Sequence, residues 1–221
     1  KRQAAIEKLQ SQQPYCYDWY RLITNDYIHF KKEAKKHPYL NKSLNGELNT
    51  YVLFTELSLN IVSKKGVLAL LVKSAIATSP ANKPFFTQLT KEKKLASLCL
   101  FTNSLKIFDI DSREQFCVIT CTNKENPSFE LIAGATKAED LHDLERSSIT
   151  SEDMSIINPY TQMLPNISKN TDIQILLATH RRLPLFDRVY PRCHFGRLVH
   201  LTSHAQYIDT NPTDSNVPIY E

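Results

Sequence analysis

Gly46-Glu47-Leu48-Asn49-Thr50-Tyr51-Val52-Leu53-Phe54-Thr55-Glu56 and, shortly after it, Gly66-Val67-Leu68-Ala69-Leu70-Leu71-Val72 decide how this chain folds. Gly46 breaks the chain, Asn49 or Thr50 can cap, and Leu53, Leu57 and Ile61 recur with Phe54 at helical spacing until Gly66 closes the segment. The spacing predicts an amphipathic helix. Val67 to Val72 is an uninterrupted apolar run of strand length, the pattern of a central strand buried on both faces of an α/β sheet.

Downstream, Asn82-Lys83-Pro84 can open a second helix through Phe85, Phe86 and Leu89, because a proline in the first turn gives up an N–H that has no partner there. That helix fades near Lys94. Leu95 to Phe101 and Phe116 to Cys121 read as two further strands, separated by a polar loop carrying Phe108, Asp109 and Asp111. Upstream, residues 1–13 read as the end of a helix stopped by Pro14. Tyr15, Tyr17, Trp19, Tyr20, Tyr27 and Phe30 then crowd together, most of them as packing residues with a DNA-facing surface as the alternative, and Lys31 to Lys36 continues helically to Pro38. Past the strands, Thr150-Ser151-Glu152-Asp153 offers a capping start to a short helix ended by Pro159, and Asn170-Thr171-Asp172 starts another through Ile173, Leu176 and Leu177 to His180. Leu183 to Glu221 is rich in Pro, Arg, His and Asp and has little periodicity.

A chain of 221 residues with 42% hydrophobic content can bury one good-sized core, or one core and part of a second domain. It opens on Lys1 and stops at Val217-Pro218-Ile219-Tyr220-Glu221, so both ends read as cuts and the chain as a fragment. No apolar stretch approaches the roughly 20 residues of a membrane helix, and no charged-then-apolar leader is visible, so a cytoplasmic protein without a membrane partner is expected. Five cysteines without a CxxC pair fit reduced thiols better than a disulfide framework. The net charge is only +4, but five arginines between His180 and His204 (Arg181, Arg182, Arg188, Arg192 and Arg197) face the single acid Asp187. That excess suits a phosphate backbone and equally suits a solvated basic face.

The four glycines, Gly46, Gly66, Gly134 and Gly196, are far apart, so no closely spaced glycine loop can bring backbone against a nucleotide-type cofactor. Asn158-Pro159-Tyr160 reads as a helix stop, and Glu92-Lys93-Lys94 as a solvated helix end. Cys193, His194, His200 and His204 have zinc-like spacing, but no second cysteine pair backs them and no metal is expected.

Taken together, Gly46 to Tyr51, the Val67 to Val72 run and Leu105-Lys106-Ile107-Phe108 resemble the second half of an adenine-N6 DNA methyltransferase. The similarity is to the large methylase polypeptides of restriction-modification and phage-defence systems and, more distantly, to the Taq-like gamma-type class I enzymes. It spans about Tyr20 to Glu221 and is densest between Gly46 and Thr120 and between Ala135 and Pro184, where Asp140, Leu141, Glu145, Arg146, Ile157, Asn158 and Pro159 carry it.

The resemblance implies an α/β fold. Residues 1–131 would form the C-terminal half of a Rossmann-like methyltransferase sheet, with a buried strand, a helix and an antiparallel edge hairpin. Residues 132–221 would hold linker helices and the start of a target-recognition region. The implied reaction moves a methyl group from S-adenosylmethionine to adenine N6 in double-stranded DNA. The cofactor would be bound mainly by a preceding half of the domain that is missing here, together with the family's Asn/Asp-Pro-Pro-aromatic motif. The excised piece should not catalyse by itself. A non-catalytic DNA-specificity scaffold is the alternative.

By the same resemblance, Phe108 would stack on an extruded adenine, with a loop ring folded back on the core as the competing reading. Asn49 and Tyr51 would support the catalytic loop and the site floor, although helix capping and packing account for both. Relatives carry Pro-Thr/Ser-Gly where this chain has Lys73-Ser74-Ala75, and Lys73 and Ser74 would meet DNA at the carboxyl end of the strand. Arg181, Arg182, Arg192, Arg197, His200 and His204 belong to a basic stretch whose core, Gly196-Arg197-Leu198-Val199-His200-Leu201-Thr202, resembles the entry to target recognition; phosphate positioning is the expected role, with base reading open to Arg197 or His204.

Overall fold

The computed structural model describes residues 2–40, 43, 49–193, 196, 199, 200 and 202–209. The chain divides into a unit spanning Lys1–Arg182 and a second spanning Leu183–Glu221. In the first, helices α1 (Arg2–Gln12), α2 (Pro14–Lys36) and α3 (Thr50–Ile61) precede strand β1 (Val67–Lys73). Short α4 (Ala75–Thr78) and α5 (Lys83–Lys91) follow, then β2 (Leu95–Thr102), β3 (Gln115–Thr122) and β4 (Ser128–Ala135). Short α6 (Asp140–Asp143), β5 (Ser147–Thr150), α7 (Ser151–Ile157) and α8 (Asn170–Arg182) complete it.

The five strands form one sheet in the order β1-β3-β2-β4-β5. β3 runs antiparallel to both β1 and β2, β4 runs parallel to β2, and β5 runs antiparallel to β4. β1, β2 and β4 therefore share a direction, and their carboxyl ends lie on one side. On one face, Leu98, Ile119, Leu131 and Ile149 pack beneath Val52, Phe86, Met154, Ile173 and Leu177 from α3, α5, α7 and α8. The other face carries only a small cluster, Cys99, Phe101, Phe116, Ile132 and Ala135, with Leu141 and Leu144 against it.

The α/β class is as expected, and the helices α3, α5, α7 and α8 lie where their caps and periodicity put them. Thr150 and Asp153 form a reciprocal capping box at α7, which satisfies backbone donors that the first turn cannot pair internally. Asp172 accepts from the backbone N–H groups of Ser168 (2.8 Å) and Lys169 (3.0 Å) ahead of its helix, and those donors hold its carboxyl below the usual carboxylate range.

Several expectations need correction. β1 is an edge strand whose residues alternate between exposed and half-buried, with Val67 64% and Leu71 52% exposed, and is not a central strand buried on both faces. The β2–β3 hairpin forms, but β1 and β4 flank it, so it is interior to the sheet. The boundary at residue 131 falls inside β4, and β5, α7 and α8 belong to the same compact unit, which runs to Arg182. In α3 the buried face is Val52, Leu53, Thr55 and Glu56, while Phe54 and Ile61 face outward. The aromatic residues Tyr15, Trp19, Tyr27 and Phe30 of α2 are exposed; that helix meets α3 through Ala34 beside Leu53 and Leu40.

Gly134 is required where it stands. Its φ is +87°, and a Cβ there would lie 2.3 Å from the Ser168 carbonyl oxygen, so the end of β4 and the segment leading to α8 pack backbone to backbone.

In the second unit, α9 (Phe186–Val189) brings Phe186 near Tyr190, with ring centroids 4.9 Å apart and the planes tilted by 41°. His200 accepts through Nδ1 from the backbone N–H groups of Thr202 and Ser203. Among the described residues, no helix is long and apolar enough to cross a membrane.

Cys117 and Cys121 are wholly buried on the main core face, and burial pushes both thiols up to about 12 from an ordinary 9.0. The folded chain keeps them neutral while the unfolded chain ionises them, so stability drains away as pH rises from about 9 towards about 12. At about pH 8, a maleimide is expected to label exposed Cys16 and Cys193 and to reach Cys99, Cys117 and Cys121 only on unfolding. Counting labels by mass spectrometry checks this, and fast labelling of a third thiol in the native protein contradicts the core assignment.

Candidate functional site

Open α/β sheets place ligands beyond the carboxyl ends of their parallel strands, where loops leave a crevice. Here β1 ends at Lys73, β2 at Thr102 and β4 at Ala135. A cavity of about 410 Å³ opens there, lined by Lys73, Ser74 and Thr78 on one side and by Asp111, Arg113 and Gln115 on the other. A second of about 190 Å³ adjoins it, sharing Ser74, Thr78 and Gln115 and reaching Phe101, Gly134 and Ser168.

The cations at the larger cavity are paired. Lys73 Nζ sits 3.0 Å from Glu114, and the Arg113 guanidinium forks onto Asp111 at 2.7 Å. That guanidinium, helped by the Arg113 backbone N–H, holds the Asp111 carboxyl below its usual range. Both pairs are solvent-exposed, and such pairs contribute only about 0 to 1 kcal/mol, so a phosphate can displace the carboxylates at little cost. Lys73 and Ser74 thus line the cleft, with Lys73 engaged to an acid of the β2–β3 loop.

That loop begins with Asn103, whose side chain is completely buried. Its Oδ1 accepts from the Phe108 N–H at 3.0 Å, and its Nδ2 donates towards the carbonyls of Phe108 (3.0 Å), Asp111 (3.2 Å) and Ile110 (3.3 Å). Phe108 is 38% exposed and meets Phe116 edge-on at 5.1 Å and 76°. Phe116 in turn stacks on Phe101 at 5.1 Å and 6°. Phe108 does not itself line either cavity; it leans on a run of rings whose last member, Phe101, does.

Tyr51 lies against the main core, and its hydroxyl accepts from Asn82 Nδ2 at 3.2 Å. The same Asn82 nitrogen donates to the Ala75 carbonyl at 2.7 Å, which links Tyr51 to the turn flooring the larger cavity. Asn49 stands at the N-cap position of α3, where its carbonyl accepts from Val52 and Leu53.

Of the expected DNA contacts, Arg181 donates to Asp153 at 2.7 Å, and Asp153 is the nearly buried acid of the α7 capping box. This ion pair braces α8 against α7. Arg182 and Arg192 are exposed and have no ion partner among the described residues. Arg197 lies outside the described residues, as does His194 of the zinc-like spacing. His204 accepts through Nδ1 from the His200 N–H at 3.0 Å, so His200 and His204 build a local turn. Arg181 and Arg182 belong to the first unit, and Arg192, His200 and His204 to the second. Among the described residues, no group of three or more His, Cys, Asp or Glu side chains could hold a metal ion.

Arg181→Gln is expected to cost about 1 kcal/mol, or roughly 2 to 4 °C in melting temperature, because it strips a charged partner from a nearly buried carboxylate. Arg182→Gln should stay within about 0.5 kcal/mol of the parent. Thermal unfolding followed by circular dichroism separates the two, and equal effects contradict the bracing role.

Asn103, Asp111 and Arg113 escaped the sequence reading as site residues. Asn103 and Phe108 are close enough in the chain for a side-chain-closed loop to be suspected, but nothing local shows that the amide turns inward.

No protein-family model matches the chain, and no curated protein matches it. Among solved structures, the type IIG restriction endonuclease BpuSI is similar at 15% identity and a TM-score of 0.39. The match covers 78% of this chain and 20% of that enzyme's chain, so this chain spans about a fifth of its length.

Proposed function

We propose that this chain is the carboxyl-terminal half of an adenine-N6 DNA methyltransferase domain, of restriction-modification or phage-defence type, joined to the start of a DNA-recognition region. The observation that carries the reading is the loop of Asn103 to Glu114, which carries Phe108 and, through Asp111 and Arg113, lines a polar cleft at the carboxyl ends of three strands that share a direction. An enzyme that acts on a base amine must take the base out of the stack, and a ring beside the receiving cleft recovers part of the unstacking cost.

β1 supports the same reading. Its six consecutive apolar residues have the composition of a strand covered on both faces, yet Val67, Ala69 and Leu71 are exposed. A preceding half of the domain that packs over that face of β1 would cover them.

Among the described residues, none builds a glycine loop of the kind that would hold S-adenosylmethionine. The described glycines are dispersed, and Gly134 is committed to backbone packing against Ser168. Cofactor binding therefore falls to the preceding half. This chain would hold the base with Phe108, steady the cleft floor through Tyr51 and Asn82, and meet backbone phosphates with Lys73, Ser74, Arg182 and Arg192. In solution, the full-length polypeptide would act in the cytoplasm on double-stranded DNA.

Incubating that polypeptide with unmodified duplex DNA and methyl-labelled S-adenosylmethionine tests the proposal. Label recovered as N6-methyladenine supports it. DNA binding without transfer points to the specificity scaffold instead, and absence of both refutes either reading.

A further inference from the structure

We propose that Asn103 is the positioning residue of the β2–β3 loop, and that its side-chain amide, more than the ring contact with Phe116, fixes where Phe108 is presented. The inference deepens the reading of Phe108 as a base-stacking residue and rests on it. Two amide protons serve three carbonyl oxygens, those of Phe108, Ile110 and Asp111, while Oδ1 takes the Phe108 N–H. The Phe108 backbone is thus gripped on both its donor and its acceptor.

The loop has few other anchors. Leu105, Ile107 and Ile110 are all largely exposed, and Lys106 takes the left-handed conformation at φ 52°. Asn103 itself is fixed from outside the grip, since its backbone N–H donates to the Glu114 carbonyl at 2.9 Å and closes the loop's base. A buried amide that meets a loop's own carbonyls replaces the packing the loop lacks, and a site residue on a loop needs such a support to hold productive geometry.

Asn103→Asp keeps the shape and the Oδ1 acceptor, but puts an oxygen where the three carbonyls need a donor. In the full-length polypeptide, hydrogen exchange at the Phe108 and Ile110 amides is expected to speed up about tenfold or more, while β2 and β3 stay protected. The kcat/KM for DNA should fall towards that of Phe108→Ala, the KM for S-adenosylmethionine should not change, and the double variant should be no slower than Phe108→Ala alone. Loosened exchange with parental methylation overturns the proposal, and so does an additive double variant. If Asn103→Asp does not fold, Ile110→Gly loosens the gripped segment from an exposed position and should shift both readouts in the same direction; no shift in either counts against the grip. If the parent transfers no methyl group, the adenine reading fails by itself, and exchange alone decides: faster loop amides support Asn103 as the anchor, and unchanged amides overturn it.

Discussion

Phe108→Ala in the full-length polypeptide is expected to slow methylation of duplex DNA by about 5- to 150-fold, the range that roughly 1 to 3 kcal/mol of base stacking corresponds to. Affinity for S-adenosylmethionine should stay at the parental value, because no residue of the β2–β3 loop is assigned to the cofactor. The variant should also fold. Phe108 is already more than a third exposed and contributes one edge-on contact with Phe116, a pair worth about 0.5 to 1.5 kcal/mol beyond its area. Loss of rate is then interpretable as loss of contact with the base.

Geometry sharpens the expectation. Stacking on a purine exchanges the edge contact with Phe116 for a face contact with the base, and the Asn103 grip holds the backbone at Phe108 while the ring turns about its own side-chain bonds. Phe108→Tyr or Phe108→Trp keeps an aromatic face and should restore most of the rate, whereas Phe108→Leu keeps bulk and should not. Equal loss of methylation and cofactor binding, or no loss at all, counts against base stacking.

What the chain's letters disclosed follows the range of the interactions. α3, α5, α7 and α8 announce themselves because caps and periodicity are local: Thr150 and Asp153 satisfy each other three residues apart, and Pro84 lies in the first turn of α5. β4 and β5 were missed because their signal is not local. β4 ends in the small residues Ala133, Gly134 and Ala135, and β5 has four residues with Ile149 as its one large apolar side chain, so the strand exists by virtue of its pairing with β4. The apolar run of β1 was read for its composition, which describes what the strand must contact and not what lies on its open edge. At the site the same division holds. Phe108 could be singled out because a ring in a polar loop is conspicuous. Asn103 could not, since an asparagine at a strand end is ordinary until its amide is seen to turn inward. The ion pair of Arg181 is equally hidden from the sequence, since its partner, Asp153, lies 28 residues away on another helix.

Asn170→Ala is expected to cost about 2 to 6 kcal/mol of stability, because it strands two buried backbone groups at about 1 to 3 kcal/mol each. β5 pairs with β4 only from Ser128 to Leu131, after which the ladder would be open. Asn170, the first residue of α8, closes it: Oδ1 accepts from the Ala133 N–H at 2.8 Å, and Nδ2 donates to the Leu131 carbonyl at 3.0 Å and also to the Glu145 carbonyl. Its amide offers one donor side and one acceptor side as a peptide unit does, so it serves as a single-residue extension of the missing strand. The same bond fastens the start of α8, whose Ile173 and Leu177 are buried in the main core. Asn170→Asp separates the two halves of this role. The carboxylate keeps the acceptor for Ala133 but faces two carbonyls, so its proton is held more tightly in the folded chain than in the unfolded one. Stability should therefore recover as pH falls, when the protonated acid regains a donor, and should be lost as pH rises through the folded value. Denaturant unfolding of the three proteins at neutral and acid pH checks both points; a loss below about 1 kcal/mol for Asn170→Ala, or a pH-independent Asn170→Asp, shows that water replaces the amide without cost and that β5 and α8 are held to β4 by packing alone.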